Sequence, residues 1–315
     1  MKGKVAIIGA GSVGTAIAYA MMINGTARTI TLIDSNEAKA KGEALDLSHG
    51  KPFVPPVTIT AGSYKDCKDS EIIIITAGAK QRSNETRIDL LQRNISIMKS
   101  ICEEIKNNLE EKLPIIIVVS NPCDILTYFA QKFLEFPREK VIGSGTTLDT
   151  ARFRFEIASH CNIDPKNIHG YVIGEHGDSE VILWSNLRIG AMLFGDHCNV
   201  CGRGCYPDFS KKVDENVRNA AYQIIEAKGY TNYGVGLSVD KISRAIIKDS
   251  NTILPVSVIL KGEYGVSEVT ISVPCILNSN GIREIMVLNI SDEETLKFKE
   301  SVEKIKKIMK EIPIA

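Results

Sequence analysis

No sign of charge dominates this chain. Its 315 residues carry 38 Lys and Arg against 38 Asp and Glu. There is therefore no global field of the kind that draws a protein to nucleic acid or to an anionic membrane. No apolar run is long enough to cross a bilayer. The eight cysteines are scattered, without the spacing of a disulfide framework, which favours a reducing, cytoplasmic setting. The opening residues, Met1-Lys2-Gly3-Lys4-Val5, lack the apolar region and cleavage site of a secretory signal. Histidine is scarce too, at five residues. What remains is enough chain for one large or two ordinary domains with a sizeable core.

Val5 to Ile8 is a short apolar run of the kind found in buried parallel strands. Gly9-Ala10-Gly11-Ser12-Val13-Gly14 follows at once, and Thr15 to Met22 is compatible with helix. A lone glycine pattern of this spacing is weak evidence, but here it lies between a strand and a helix. Gly9 then makes a tight turn, Gly11 lets a pyrophosphate approach, and Gly14 packs helix against strand. The helix N-terminus faces the phosphates. The next strand, Thr29 to Ile33, ends in Asp34, about 20 residues past the glycines, where a carboxylate binds ribose hydroxyls. An acid there repels a 2′-phosphate, which favours NAD over NADP.

Further strands are expected at Thr58–Thr60, Glu71–Thr76, Ile115–Ser120 and Val141–Ile142, alternating with helices. That alternation predicts an α/β fold with a doubly wound parallel sheet, ligands lying beyond the carboxyl ends of its strands. Gly78, Asn121 and Ser144 stand at such ends. The polar stretch Lys80 to Arg87 reads either as a loop that closes on a substrate or as a solvated surface loop.

In the second half, Tyr171 to Gly174 is a strand that ends in a turn, with His176 between Gly174 and Gly177. An imidazole presented there can exchange a proton near neutral pH. Asp149 and Arg152, three apart on a helix, share a face. They suit a carboxylate behind the imidazole and a fork for a substrate carboxylate, or simply an intrahelical ion pair. A helix is expected from Asp208 to Lys228 and another from Ser238 to Lys248. Antiparallel strands are expected at Ser257–Leu260, Thr270–Pro274 and Ile285–Leu288. Ser291 to Glu294 is a capping box opening a last helix to about Lys310. The layout places a dinucleotide-binding domain at 1–145 and an α+β substrate domain at 146–315.

The glycine turn with Asp34, Asn84-Glu85-Thr86-Arg87, Ser120-Asn121-Pro122, Leu148-Asp149-Thr150-Ala151-Arg152 and Gly174-Glu175-His176-Gly177-Asp178 occur in that order. On these motifs, and over nearly its whole length, the chain resembles the lactate/malate dehydrogenase family, and within it the bacterial L-lactate type. The resemblance implies NAD-linked interconversion of pyruvate and L-lactate. His176 would be proton donor and acceptor, Asp149 would hold its charged form, Arg152 would bind the carboxylate, and Arg87 would polarise the carbonyl. Asn121 would bond the substrate oxygen. Val13, Asp34, Lys39, Tyr64, Gly78, Ala79 and Ser144 match the family's cofactor contacts, beside Gly9, Gly11, Gly14 and Asn121.

Within the family, Gln81 stands where malate dehydrogenases have arginine. A neutral residue suits the methyl of pyruvate, because burying a second carboxylate unpaired is costly. Thr231 matches a pocket position near that methyl. A malate or broader 2-hydroxy-acid dehydrogenase remains open, since pockets separate methylenes by only about 1–3 kcal/mol. A dinucleotide-binding protein without turnover also remains open. Arg154 and His169 match positions that bind fructose 1,6-bisphosphate in allosteric members, which implies an activated homotetramer. His197, Cys198, Cys201 and Cys205 depart from the family pattern. They read as an exposed loop of free thiols, with a zinc site as the alternative.

Overall fold

The computed structural model describes residues 3–79, 85–201 and 208–312. Its first half alternates strand and helix: β1 (Lys4–Ile8), α1 (Ser12–Asn24), β2 (Thr29–Ile33), α2 (Glu37–His49), β3 (Thr58–Ala61), β4 (Ile72–Ile75), α3 (Arg87–Asn108), β5 (Ile115–Val118), α4 (Cys123–Leu134) and β6 (Val141–Gly143). These strands pair in parallel in the order β3, β2, β1, β4, β5, β6. The order reverses between β1 and β4, so a ligand crevice opens beyond their carboxyl ends.

The isoleucine runs explain this arrangement. Strand side chains alternate between faces. Val5, Ile7, Ile72 and Ile74 enter one core cluster, and Ala6, Ile8, Ile73 and Ile75 enter another on the opposite face. Both faces are covered, so both alternating sets are apolar. Each isoleucine so buried contributes roughly 1.5–3 kcal/mol relative to exposure.

The second half holds α5 (Thr147–Cys161), β7 (Ile168–His169), β8 (Val172–Gly174), β9 (Glu180–Ile182), β10 (Arg188–Ile189), β11 (Met192–Leu193), α6 (Phe194–Val200), α7 (Phe209–Lys228), α8 (Tyr233–Ile247), β12 (Thr252–Lys261), β13 (Ser267–Asn278), β14 (Gly281–Ile285) and α9 (Asp292–Lys310). Its main strands do not make a separate sheet. β12 pairs antiparallel with β6 through Ser257 and Gly143, and the sheet continues through β13, β8 and β9. β7, β10 and β11 form a small sheet of their own.

Two expectations shift. α8 starts at Tyr233, five residues before Ser238. Its first turn contains Gly234 and Gly236, which disguise a helix in sequence. Gly236 lies against α1, where a Cβ would stand 2.9 Å from the Ala16 carbonyl oxygen. The third antiparallel strand is Gly281–Ile285, so the run Ile285–Leu288 mostly lies beyond it. Beyond the strand the Met286 N–H still reaches the Pro274 carbonyl at 2.8 Å, and the Leu288 N–H donates to the Tyr264 hydroxyl at 3.0 Å. The capping box at Ser291 and Glu294 is formed as expected.

Candidate active site

The nucleotide end is shaped by what the glycines omit. Gly9 has φ +108°, and a Cβ there would lie 2.7 Å from the Ala77 nitrogen. A Cβ on Gly14 would meet the Gly9 carbonyl oxygen at 2.0 Å. At Gly11 a Cβ would meet nothing within 4 Å, so this glycine faces open space. Gly11 caps α1 without a side-chain bond, and no acid stands in the first turn. Free N–H groups and the helix dipole are therefore left for an anion.

Asp34 accepts the Ala10 N–H at 2.7 Å and the Asn36 N–H at 2.9 Å, which ties its carboxylate to the glycine turn. A cleft of about 730 Å³ begins there, lined by Gly11, Asp34, Lys39, Tyr64 and Gly78 among others. Lys39 and Tyr64 thus join the glycine turn, although neither lies in a strong motif. Burial pushes the Tyr64 phenol up to about 12, so it stays a neutral donor. Glu37 also lines the cleft. It adds a second acid where a 2′-phosphate would need a cation, a signal that sequence reasoning passed over. The residues fit a dinucleotide whose ribose hydroxyls are free.

Val13, Gly14, Ala79, Asn121 and Ser144 are not among this cleft's lining residues. Gly14 packs beneath the turn, and Val13 packs against the core. The Ala79 N–H donates to the buried Asn94 side chain at 2.7 Å. Ser144 is buried at the end of β6, its N–H bonded to Val118 at 2.8 Å. Asn121 is exposed just past β5, where the Ser120 hydroxyl donates to the Ala77 carbonyl at 2.6 Å.

At the other end of the sheet, β8 and β9 form a hairpin whose turn carries His176. Its Nδ1 lies 2.6 Å from Asp149 Oδ2, and Arg152 Nη1 donates to Asp149 Oδ1 at 2.7 Å. Asp149 serves both partners, so the intrahelical pair and the imidazole contact coexist. With Nδ1–H directed at the carboxylate, Nε2 is the ring atom turned to other partners. The Asp149 side chain is 3% exposed, against 24% for His176. The Asp149 carboxylate is the main cause that raises His176, working against burial, to about 9. Burial opposes the charge on Asp149, but His176 and Arg152 outweigh it and hold its carboxyl below the usual range.

The turn itself is anchored by groups the sequence did not single out. Asp124, buried at the start of α4, accepts the His176 N–H at 2.7 Å and the Ser257 hydroxyl at 2.5 Å. Burial raises Asp124 to about 6 despite those bonds. The Glu175 N–H donates to Ser301, and Lys304 pairs with the Glu175 carboxylate at 2.8 Å. Tyr222 donates to Asp178 at 2.9 Å. Only Asp124 had a cue in sequence, its place just after Asn121-Pro122. Ser257 comes from strand β12, Ser301 and Lys304 from α9 and Tyr222 from α7, and these remote residues gave none.

Arg87 is the first residue of α3, held by the reciprocal Thr86–Asp89 cap. Just before it, Glu85 is gripped by Arg93 through Nε at 3.0 Å and Nη2 at 2.7 Å. Arg87 is electrostatically felt at Tyr222, the residue bonded to Asp178. Thr231 is half-buried between α7 and α8. Gln81 lies outside the described residues.

Arg154 donates to the Gly170 carbonyl at 3.1 Å and stacks on Tyr171, the two residues that follow His169 in the chain. His169 is exposed and pairs in register with Arg188, a third cation the sequence reading did not connect. Cys205 lies outside the described residues, among which no group of three or more His, Cys, Asp or Glu side chains is placed to hold a metal. No helix among those residues is long and apolar enough to cross a membrane.

Comparison with known proteins sets this geometry in context. Residues 3–143 match the NAD-binding domain of lactate/malate dehydrogenases, and residues 146–313 match their alpha/beta C-terminal domain. The chain is 50% identical to the L-lactate dehydrogenase of Thermoanaerobacter pseudethanolicus, with 99% of each chain covered. A lactate dehydrogenase structure from a Medee basin deep-sea metagenome library superposes with a TM-score of 0.96 at 40% identity, covering 100% of both chains. The ligands-bound minor L-lactate dehydrogenase of Enterococcus mundtii gives 0.95 at 40% identity, covering 100% of this chain and 99% of the other.

Proposed function

The chain belongs to the lactate/malate dehydrogenase family, and from that premise we propose that it is an NAD-dependent L-lactate dehydrogenase with His176 as its proton donor and acceptor. The observation that carries this reading is the short Asp149–His176 contact with Arg152 on the same carboxylate. When bound, NAD supplies or takes up the hydride. The residues do the rest. Protonated His176 directs Nε2–H at the carbonyl oxygen of pyruvate and delivers the proton as that oxygen becomes a hydroxyl. Asp149 keeps the imidazolium charged through neutral pH and fixes the ring through Nδ1. Arg152 has N–H groups left over from Asp149 for a bidentate hold on the substrate carboxylate. Arg87 brings positive charge to the carbonyl oxygen, and Asn121 donates a hydrogen bond there. In the reverse direction, neutral His176 takes the hydroxyl proton of L-lactate. The neutral character of Gln81 and Thr231 suits the methyl of pyruvate rather than a second carboxylate.

Regulation belongs to the same reading. His169 and Arg188 pair across β7 and β10, and Arg154 bonds the residue that follows His169, a supply of cationic and titratable groups that supports fructose 1,6-bisphosphate as effector. Tyr19 and Ile23 of α1 and Tyr233 and Leu237 of α8 leave an exposed apolar groove. That groove supports assembly with further copies into a homotetramer. The buried thiols Cys67, Cys102, Cys123 and Cys275 support a reducing, cytoplasmic setting.

The test is NADH oxidation with pyruvate or oxaloacetate, with and without fructose 1,6-bisphosphate, and light scattering on the same samples. Pyruvate turnover that rises with the bisphosphate, from a particle of four chains, is the expected result. Turnover without activation removes the effector, and a preference for oxaloacetate removes the reading of Gln81.

A further inference from the structure

Glu180 opens β9 directly opposite Gly174, the residue that ends β8. The turn between them carries His176, and Glu180 closes it by donating its N–H to the Gly177 carbonyl at 3.1 Å. Val181 joins the cluster that holds Phe298, Val302 and Ile305 of α9. Strand alternation therefore puts Glu180 on the other face with Ile182, which packs with Phe153 of α5 and Val213 and Val217 of α7. Glu180 is only 4% exposed, and among the described residues its Oε1 is buried without a hydrogen-bond donor.

The charged groups around that face are few. Asp149 and Arg152 come from α5, Arg218 from α7, and His176 from the turn. Asp214 of α7 accepts the Trp184 indole N–H at 2.9 Å, and Glu156 of α5 accepts from Asn216 at 2.8 Å. Arg218 does not hold Glu180 through Nε, which is itself buried without an acceptor among the described residues. A carboxyl in such a pocket, next to the charged Asp149, is held neutral. Burial first, and then Asp149, push Glu180 up to about 8.

We propose that Glu180 is a positioning residue for the proton chemistry: a buried carboxyl, neutral at neutral pH, that releases its own proton to solvent on the alkaline side and, once charged, holds the proton on His176 to higher pH. The inference rests on His176 being the proton donor. Two groups that feel each other's charge titrate together, and the charge of one sets the proton affinity of the other. The alkaline reach of pyruvate reduction then depends on a residue that touches neither substrate nor cofactor.

The experiment compares pH profiles of kcat/KM for pyruvate reduction in the parent and in Glu180→Gln, which keeps the shape but cannot ionise. The ratio of kcat/KM at pH 9.5 to that at pH 6.5 should fall roughly fivefold in the variant, a displacement of the alkaline limb by somewhat under one pH unit. An unmoved limb overturns the proposal. So does a uniform loss at every pH, which is what a purely structural residue would produce. Infrared spectra of the parent stand independently of whether the variant folds. A protonated-carboxyl band should be present at pH 7, where Asp124 has already ionised, and should vanish by pH 9.5; its absence at pH 7 overturns the proposal. His176→Ala separates the layers. If that variant is inactive and the Glu180→Gln limb is unmoved, only Glu180 is misassigned. If it retains turnover, the underlying proton assignment falls as well.

Discussion

The two ends of this sheet prepare for chemistry in opposite ways. At the β1 end the site is made by omission. Gly11 leaves space, Gly9 and Gly14 allow close approach, and the first turn of α1 carries no acid. At the β8 end the site is made by enclosure. Asp149, Asp124 and Glu180 are all buried within reach of His176. Binding a nucleotide calls for backbone donors and room, which the local chain supplies. Holding a proton at a chosen strength calls for charges removed from water, which only packing supplies.

The largest effect that would sharpen this contrast comes from Asp149→Asn. The variant keeps the shape and removes the charge that raises His176. Pyruvate reduction should fall by roughly 10²–10⁴-fold, while NADH affinity, followed by fluorescence, stays within a few-fold. An equal loss in both would mean that the two ends are not separable.

Gly14→Ala attacks the other end. Its Cβ would enter the Gly9 carbonyl oxygen at 2.0 Å. The strain should lower stability by about 1–3 kcal/mol and weaken NADH binding at least as much as it lowers turnover. A variant that binds NADH like the parent would show that the turn can relax, and that omission is not what shapes it.

The gentlest probe is pH. His176 is raised to about 9 in the fold, above the ordinary histidine value. Its proton is bound more tightly folded than unfolded, so its contribution to stability is full below about pH 6.5. That contribution is lost as pH rises through about 9. The thermal midpoint should therefore decline across that interval, whereas pyruvate reduction should hold until the pH nears 9 and then fall, with lactate oxidation rising as the imidazole becomes neutral. A midpoint that stays level across the interval, with rates that change around pH 6.5, would mean that the Asp149 pairing does not operate in solution.

These two ends also differ in how far they could be read in advance. The parallel sheet was legible because isoleucine runs such as Ile72–Ile75 are buried on both faces, and burial on both faces leaves no alternation to misread. The glycine turn and Asp34 were legible because the whole device lies within about 30 contiguous residues. His176, Asp149 and Arg152 were visible through local spacing. Asp124 had only its place after Asn121-Pro122 as a cue, and Ser257, Ser301 and Glu180 had none, because such roles arise from tertiary pairings, such as Ser257 with Asp124. The start of α8 was missed because its glycines meet tertiary contacts, Gly236 with α1 and Gly234 with Leu148 of α5, rather than serving helix propensity.

The sequence by itself determined the alternation of strand and helix, the phosphate-facing turn, the preference against a 2′-phosphate, and the residue types at the proton site. These depend on neighbours in the chain and on periodicity, which survive without coordinates. Only the tertiary structure decided that the two halves share one sheet through Ser257 and Gly143. It also decided that Asp149 divides its charge between Arg152 and His176, and that Glu180 stands buried behind the turn with its Oε1 lacking a donor among the described residues. The reason is physical. The proton affinity of a side chain depends on the water it has lost and the charges it faces, and both are consequences of packing.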